Sequence, residues 1–271
     1  MKKYIALLIL FAAIEISLAL YLTYWREEFW TAVSTKQSAV FAHDLMTFTI
    51  AALAICVVSG VSGYLVNLST IEWRKKLNDK AFLCKNTTIE NFNQRQQQDA
   101  WDYPDLMLTL SYGGVKAAMY IVVFSVSLIA SFGWGYLVAI TLYCLGGTAI
   151  THWVAKPLVA LNYEQQRAEA TYRNNLTIEN FGDCVRLMLG IAKKTKRLSY
   201  SQVFIGQLGV IVPLLLIAPV YFTTGMTLGT LMRFNSVAGT IVDNLTFGVS
   251  QFGLINRLRS CKLRLKEGKI L

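Results

Sequence analysis

Residues 106–156 read LMLTLSYGGVKAAMYIVVFSVSLIASFGWGYLVAITLYCLGGTAITHWVAK, and this stretch decides the fold. Two apolar runs, 106–131 and 134–156, stand on either side of Phe132-Gly133, with Lys116 the one charge inside them before Lys156 closes the second. About 20 consecutive apolar residues suffice to cross a hydrocarbon core of roughly 30 Å as a helix. A spanning segment must satisfy its backbone polar groups internally, so each run is read as a helix and the pair as a tight membrane hairpin.

Outward from this hairpin, further apolar runs occupy 4–24, 44–68, 200–222 and 227–252. The whole chain is 54% hydrophobic and 15% charged, against about 25% charged in soluble domains. The expected fold class is therefore all-α: a polytopic membrane protein of six transmembrane helices, a single domain over 1–271. The first run has the basic start of a signal peptide. Glu15 interrupts it, however, and no small-residue cleavage site follows, so it reads as a retained helix.

A net charge of +10 invites a nucleic-acid reading, but the placement of the basic residues argues for a membrane. Lys2 and Lys3, the segments 69–105 and 157–199, and the tail from Arg257 hold most of them and fall on one side of a six-crossing chain. The opposite side has little beyond Arg26 and Lys36. By the positive-inside rule both termini are expected in the cytoplasm, with the chain in a bacterial inner membrane and the lipid bilayer as its surroundings. Trp25, Trp30, Trp134 and Tyr136 at outer helix ends, and Trp73, Trp101 and Trp153 toward the inner face, read as interfacial anchors. Five scattered cysteines and two distant histidines give no disulfide framework, metal centre, cofactor site or catalytic triad, so no enzyme is expected.

The connections are uneven. The outer links near 131–134 and 223–226 are a few residues long, whereas 69–105 and 157–199 read as cytoplasmic helical hairpins. Each carries the word Thr-Ile-Glu-Asn-Phe, at 88–92 and at 177–181. Short outer turns with two long inner hairpins outline the transmembrane half of an ABC-type exporter. One such half encloses no pathway, so a homodimer is expected.

Three stretches carry a family resemblance. They are Trp25-Arg26-Glu27-Glu28-Phe29-Trp30; Glu72-Trp73-Arg74-Lys75-Lys76-Leu77 followed by Asn93-Gln94-Arg95-Gln96-Gln97-Gln98-Asp99; and Tyr163-Glu164-Gln165-Gln166-Arg167-Ala168-Glu169-Ala170-Thr171-Tyr172-Arg173. In this order they resemble the SbmA/BacA peptide transporters and the related transmembrane domains of peroxisomal-type and YddA-type ABC exporters. The resemblance continues through Thr227-Leu228-Gly229 to Arg257-Leu258-Arg259-Ser260. It implies a dimeric importer of peptides or peptide-like compounds, driven in the SbmA/BacA case by a proton gradient. Gln98 stands where the family's word has an acid, which weakens a proton carrier at that point. No G-x-x-x-x-G-K-[ST] loop occurs, so the expected energy source is either an ion gradient or a separate ATPase subunit. The competing readings are thus a gradient-driven peptide importer, the membrane subunit of an ATP-driven exporter, and a scaffold or immunity protein without a pathway.

Charges at membrane depth are costly and are by default functional candidates. Glu15, Lys116, Arg233 and Asp243 qualify. Arg233 and Asp243, ten residues apart, are expected to share one face of the last helix. Glu15 and Asp243 are the candidates for proton coupling, with helix packing as the alternative role. Glu164 and Glu169 are candidates for the inner mouth of the pathway, against a solvated helix paired through Arg167 and Arg173. Gln94, Arg95, Asp99 and Arg173 are expected to brace the two hairpins.

Overall fold

The computed structural model describes residues 2–83, 95–174 and 178–267, and every regular element among them is helical. Helix α1 runs Lys2–Ser34 and α2 runs Ser38–Leu83. A π-helical turn, Arg95–Asp99, leads directly into α3, Ala100–Phe132. Then follow α4 (Trp134–Asn174), α5 (Ile178–Thr224), α6 (Leu228–Leu245), the single turn α7 (Phe247–Ser250) and α8 (Phe252–Glu267).

The short links form where the backbone can reverse within a few residues. Between α3 and α4 only Gly133 lies outside a helix, at φ 101°. That region strains any residue with a Cβ, so a glycine makes the hairpin possible. The α1–α2 link turns at Lys36, at φ 57°, with Gln37 N–H donating to Ala32 O at 3.0 Å. Thr227 caps α6, its hydroxyl accepting from Thr230 N–H at 3.2 Å.

Five helical stretches, 4–34, 38–80, 97–132, 134–157 and 181–224, are long and apolar enough to cross a membrane. Large apolar side chains such as Ile50, Leu53, Val122, Val126, Leu142, Val203 and Leu215 point outward, as lipid-facing residues do. Helices α2 and α5 have 46 and 47 residues, about 70 Å each at 1.5 Å per residue, so they run well past a bilayer core. The inner hairpins expected at 69–105 and 157–199 are, where described, continuations of these membrane helices. The word at 88–92 lies outside the described residues; of the word at 177–181, residues 178–181 open α5.

The sixth expected crossing, 227–252, is where the structure departs from the sequence reading. It breaks after Leu245 and again at Gln251, and its pieces are not among the stretches apolar enough to cross by themselves. The reason is position. Helix α6 packs against α1, α3, α4 and α5, so it needs apolar side chains only where those neighbours touch it. Phe234, Val237, Ala238 and Ile241 are fully buried against Ile16, Phe124, Leu128, Ile140 and Ile217. The rings of Phe132 and Tyr136 each stand edge-on to Phe234, with centroids 5.0 Å away. Between membrane helices close packing and hydrogen bonds supply the association that water would otherwise drive. A second core joins α2, α3 and α8 at the opposite end through Leu77, Ala100, Tyr103, Leu106, Cys261 and Leu265.

Candidate functional site

Residues 25–27 of α1 reach to two neighbouring helices in succession. The Trp25 indole donates to Asp44 O of α2 at 2.7 Å. Arg26 donates to the Ser236 hydroxyl of α6. Glu27 accepts from Arg233 Nη1 at 2.9 Å and from the Thr230 hydroxyl at 2.6 Å, both on α6. Arg233 also donates through Nη2 to Ser131 of α3 at 3.0 Å, and its guanidinium lies 3.8 Å from the Tyr24 ring centroid. A planar guanidinium that forks between a carboxylate and a hydroxyl while stacking on an aromatic face uses what distinguishes Arg from Lys.

The same place explains the Thr227-Leu228-Gly229 word. A Cβ on Gly229 would run into the Glu27 carbonyl and the Thr31 hydroxyl, so α6 meets α1 closely enough for this ion pair only because residue 229 is glycine. Sequence reasoning found Arg233 and missed Glu27, Tyr24 and Ser131. The available signal was a carboxylate standing in the Trp-Arg-Glu-Glu word at a helix end.

Arg233 and Asp243 do not share a face. Ten residues make 2.8 turns, which leaves about 80° between the two side chains. Arg233 turns to α1 and α3, whereas Asp243 is exposed in a cavity of about 470 Å³ between α4, α5 and α6. Thr148, Thr151, Gln202, Asn235 and Thr246 line this cavity with Asp243, and Tyr143 at its wall donates to Ile205 O. Asn235, Gly239, Val242 and Thr246 repeat at steps of four, three and four, so one stripe of α6 faces it. An adjoining hollow of about 390 Å³ shares Thr148, Thr151 and Gln202 and adds His152. A concavity with hydroxyls, amides and one carboxylate on apolar walls suits a polar solute at membrane depth.

Glu15 of α1 lies elsewhere, paired through Oε1 with Lys116 of α3 at 2.5 Å. The structure therefore separates three candidates that the sequence had grouped: Arg233 with Glu27, Asp243 at the cavity between α4, α5 and α6, and Glu15 with Lys116. Glu164 is exposed on α4. The side chains of Arg95, Arg167, Glu169 and Arg173, and all of Gln94, lie outside the described residues.

Asp99 is buried at the junction of the π turn and α3. Among the described residues this turn packs on α3 and on α8, the last helix. Nearby, Arg257 of α8 donates to Asp102 at 2.7 Å. The hydrogen bond first, and the carboxylate charge second, hold the guanidinium above its ordinary range. Arg74 lies 4.4 Å from the Trp101 ring centroid. Among the described residues no group of three His, Cys, Asp or Glu side chains is arranged to hold a metal ion.

Residues 2–178 match the family described as ABC transporter transmembrane region 2. The chain belongs to that family and is a multi-pass membrane protein. It is similar to the inner membrane ABC transporter ATP-binding protein YddA of Escherichia coli (strain K12), at 25% identity over 93% of this chain and 54% of the relative. An uncharacterized ABC transporter ATP-binding protein of Haemophilus influenzae is 23% identical, over 84% of this chain and 46% of its own length. ABC transporter D family member 2, chloroplastic, of Arabidopsis thaliana is 22% identical over 89% and 38%. The chain spans about half, or less, of the length of these curated relatives.

Proposed function

We propose that this member of the ABC transporter transmembrane region 2 family is the membrane part of an ATP-driven transporter, working as a homodimer in a bacterial inner membrane with both termini in the cytoplasm. One observation carries the reading: the match to two relatives named as ABC transporter ATP-binding proteins runs over 84% and 93% of this chain. The ATPase is supplied by a further portion of the same polypeptide or by a partner subunit. The cavity between α4, α5 and α6 is the stretch of pathway within one copy, and Asp243 with Gln202 and Asn235 holds the polar groups of a peptide-like cargo there. Glu27 and Arg233 tie α1 to α6 and keep that side of the helix closed.

Proton-driven import, which the SbmA/BacA resemblance implies, is the second reading. It draws on the Asp243 carboxyl, which faces a cavity, but the relatives named above favour ATP. Proteoliposomes holding the protein with its ATPase and a fluorescent peptide separate the two. Movement that needs ATP and ignores an imposed pH gradient is expected. Movement that follows the gradient without ATP would overturn the ATP-driven reading.

A further inference from the structure

The first half of α5 carries a charged face that the cavity at Asp243 does not use. At about 100° per residue, Lys193, Lys196, Arg197, Tyr200, Val203 and Phe204 fall within roughly 120° of one another, and all six are exposed. Along the axis the order is three cations, one aromatic ring and two apolar side chains, over about 16 Å. Among the described residues none of the three cations pairs with a carboxylate, whereas Arg186 and Arg257 each do.

The antiparallel α4 sets the depth of this face. Gly147 of α4 packs against the Ile205 side chain of α5, so Trp153, six residues after Gly147, stands level with Ser199, six residues before Ile205. Trp153 and Tyr200 therefore share a level, 76% and 66% exposed, as rings at a membrane interface do. Val203 and Phe204 lie on the lipid side of that level, and Lys193, Lys196 and Arg197 on the water side. By the same register exposed Lys156 of α4 stands level with Lys196. Beside Lys196 the two helices leave a shallow hollow of about 600 Å³. Its polar lining, Gln165, Thr195, Lys196 and Ser199, offers donors and no carboxylate. Cations at this level attract anionic lipid headgroups, and a partner confined to water would leave Tyr200, Val203 and Phe204 uncovered. We infer that this face of α5, with the hollow beside it, binds an anionic phospholipid, its phosphate at Lys196 between Lys193 and Arg197 and an acyl chain along Tyr200, Val203 and Phe204. The inference goes beyond the transport reading and does not need it, because lipid binding is measured without cargo or ATP.

The test uses the full chain in a neutral detergent, titrated with dioleoyl phosphatidylglycerol or dioleoyl phosphatidylcholine, with native mass spectrometry to count bound lipid. Saturable and preferential retention of phosphatidylglycerol is expected. Each cation near a lipid headgroup contributes about fivefold in affinity, so Lys196→Gln weakens retention about fivefold and Lys193→Gln/Lys196→Gln/Arg197→Gln on the order of a hundredfold. Lys75→Gln/Lys76→Gln/Lys80→Gln removes the same charge from exposed positions of α2 and leaves retention within about threefold, because salt screens distant charges. Glycerol 3-phosphate, which has the anion and no acyl chain, binds at least about a hundredfold more weakly than the lipid. Three results would overturn the assignment: the two lipids retained alike; the α2 variant losing as much as the α5 variant, as for a basic surface without a site; or glycerol 3-phosphate bound as tightly as the lipid, as for a site that takes free phosphates.

Discussion

Replacing Glu27 by Leu tests whether the α1–α6 ion pair holds the fold together. The Arg233 side chain is 10% exposed and that of Glu27 is 27% exposed. Removing one partner of a buried pair costs about 3–5 kcal/mol, because the other charge is left uncompensated. Here Arg233 keeps its bond to Ser131 and its seat on Tyr24, so the lower end applies, about 3 kcal/mol. At roughly 2–4 °C per kcal/mol for a chain of this size, Tm falls by about 6–12 °C. A thiol-reactive dye reads this directly: Cys144, Cys184 and Cys261 are buried and become reactive on unfolding, while exposed Cys56 sets the baseline.

The double variant Glu27→Leu/Arg233→Met sharpens the test. Well-packed apolar residues in place of both charges are often neutral, so its Tm returns to within about 3 °C of the parent. A single variant that melts within 2 °C of the parent, or a double variant that falls by the sum of both singles, would refute the reasoning.

Gly229→Ala places a methyl against the Glu27 carbonyl and pushes α6 off α1; the same dye assay is expected to show a loss of several degrees, in line with about 1–3 kcal/mol for overpacking. Arg257→Ala removes a pair in which the arginine is 55% exposed, and such pairs contribute about 0–1 kcal/mol, so Tm moves by less than about 4 °C. Asp243→Asn leaves Tm within about 2 °C, because the carboxyl faces a cavity, and lowers peptide-stimulated ATPase activity at least about tenfold if that charge holds the cargo.

Much of the fold was legible because it is local. The runs at 106–131 and 134–156 with Gly133 between them state a hairpin outright, and the length of polar sequence after each inner crossing states that the helices run on. The candidate site was legible only as a set of charges. Glu27 and Arg233 stand 206 positions apart, and no periodicity joins them. The break after Leu245 was hidden for a related reason: apolar residues on both sides of it keep 227–252 reading as one run, while the backbone turns at Thr246. The shared face assigned to Arg233 and Asp243 failed on arithmetic, since 2.8 turns is not three.

That break has a consequence for two cavities, the one at Asp243 and a second, of about 420 Å³, at Glu15 and Lys116. Thr246, Val249 and Ser250 line the space shared with α4 and α5, whereas Phe247 and Gln251 line the space shared with α1, α2 and α3. The turn α7 is thus a partition one helical turn thick, with neighbouring residues facing opposite cavities. Its position is fixed from one side by the Phe247 ring, which fills the place a Cβ on Gly113 would need. A continuous helix would carry its polar residues past α3 and α4 at a constant pitch. The interruption lets this one chain segment present a carboxylate to one cavity and an aromatic wall to the other, which a sixth crossing made only of lipid-compatible residues does not provide.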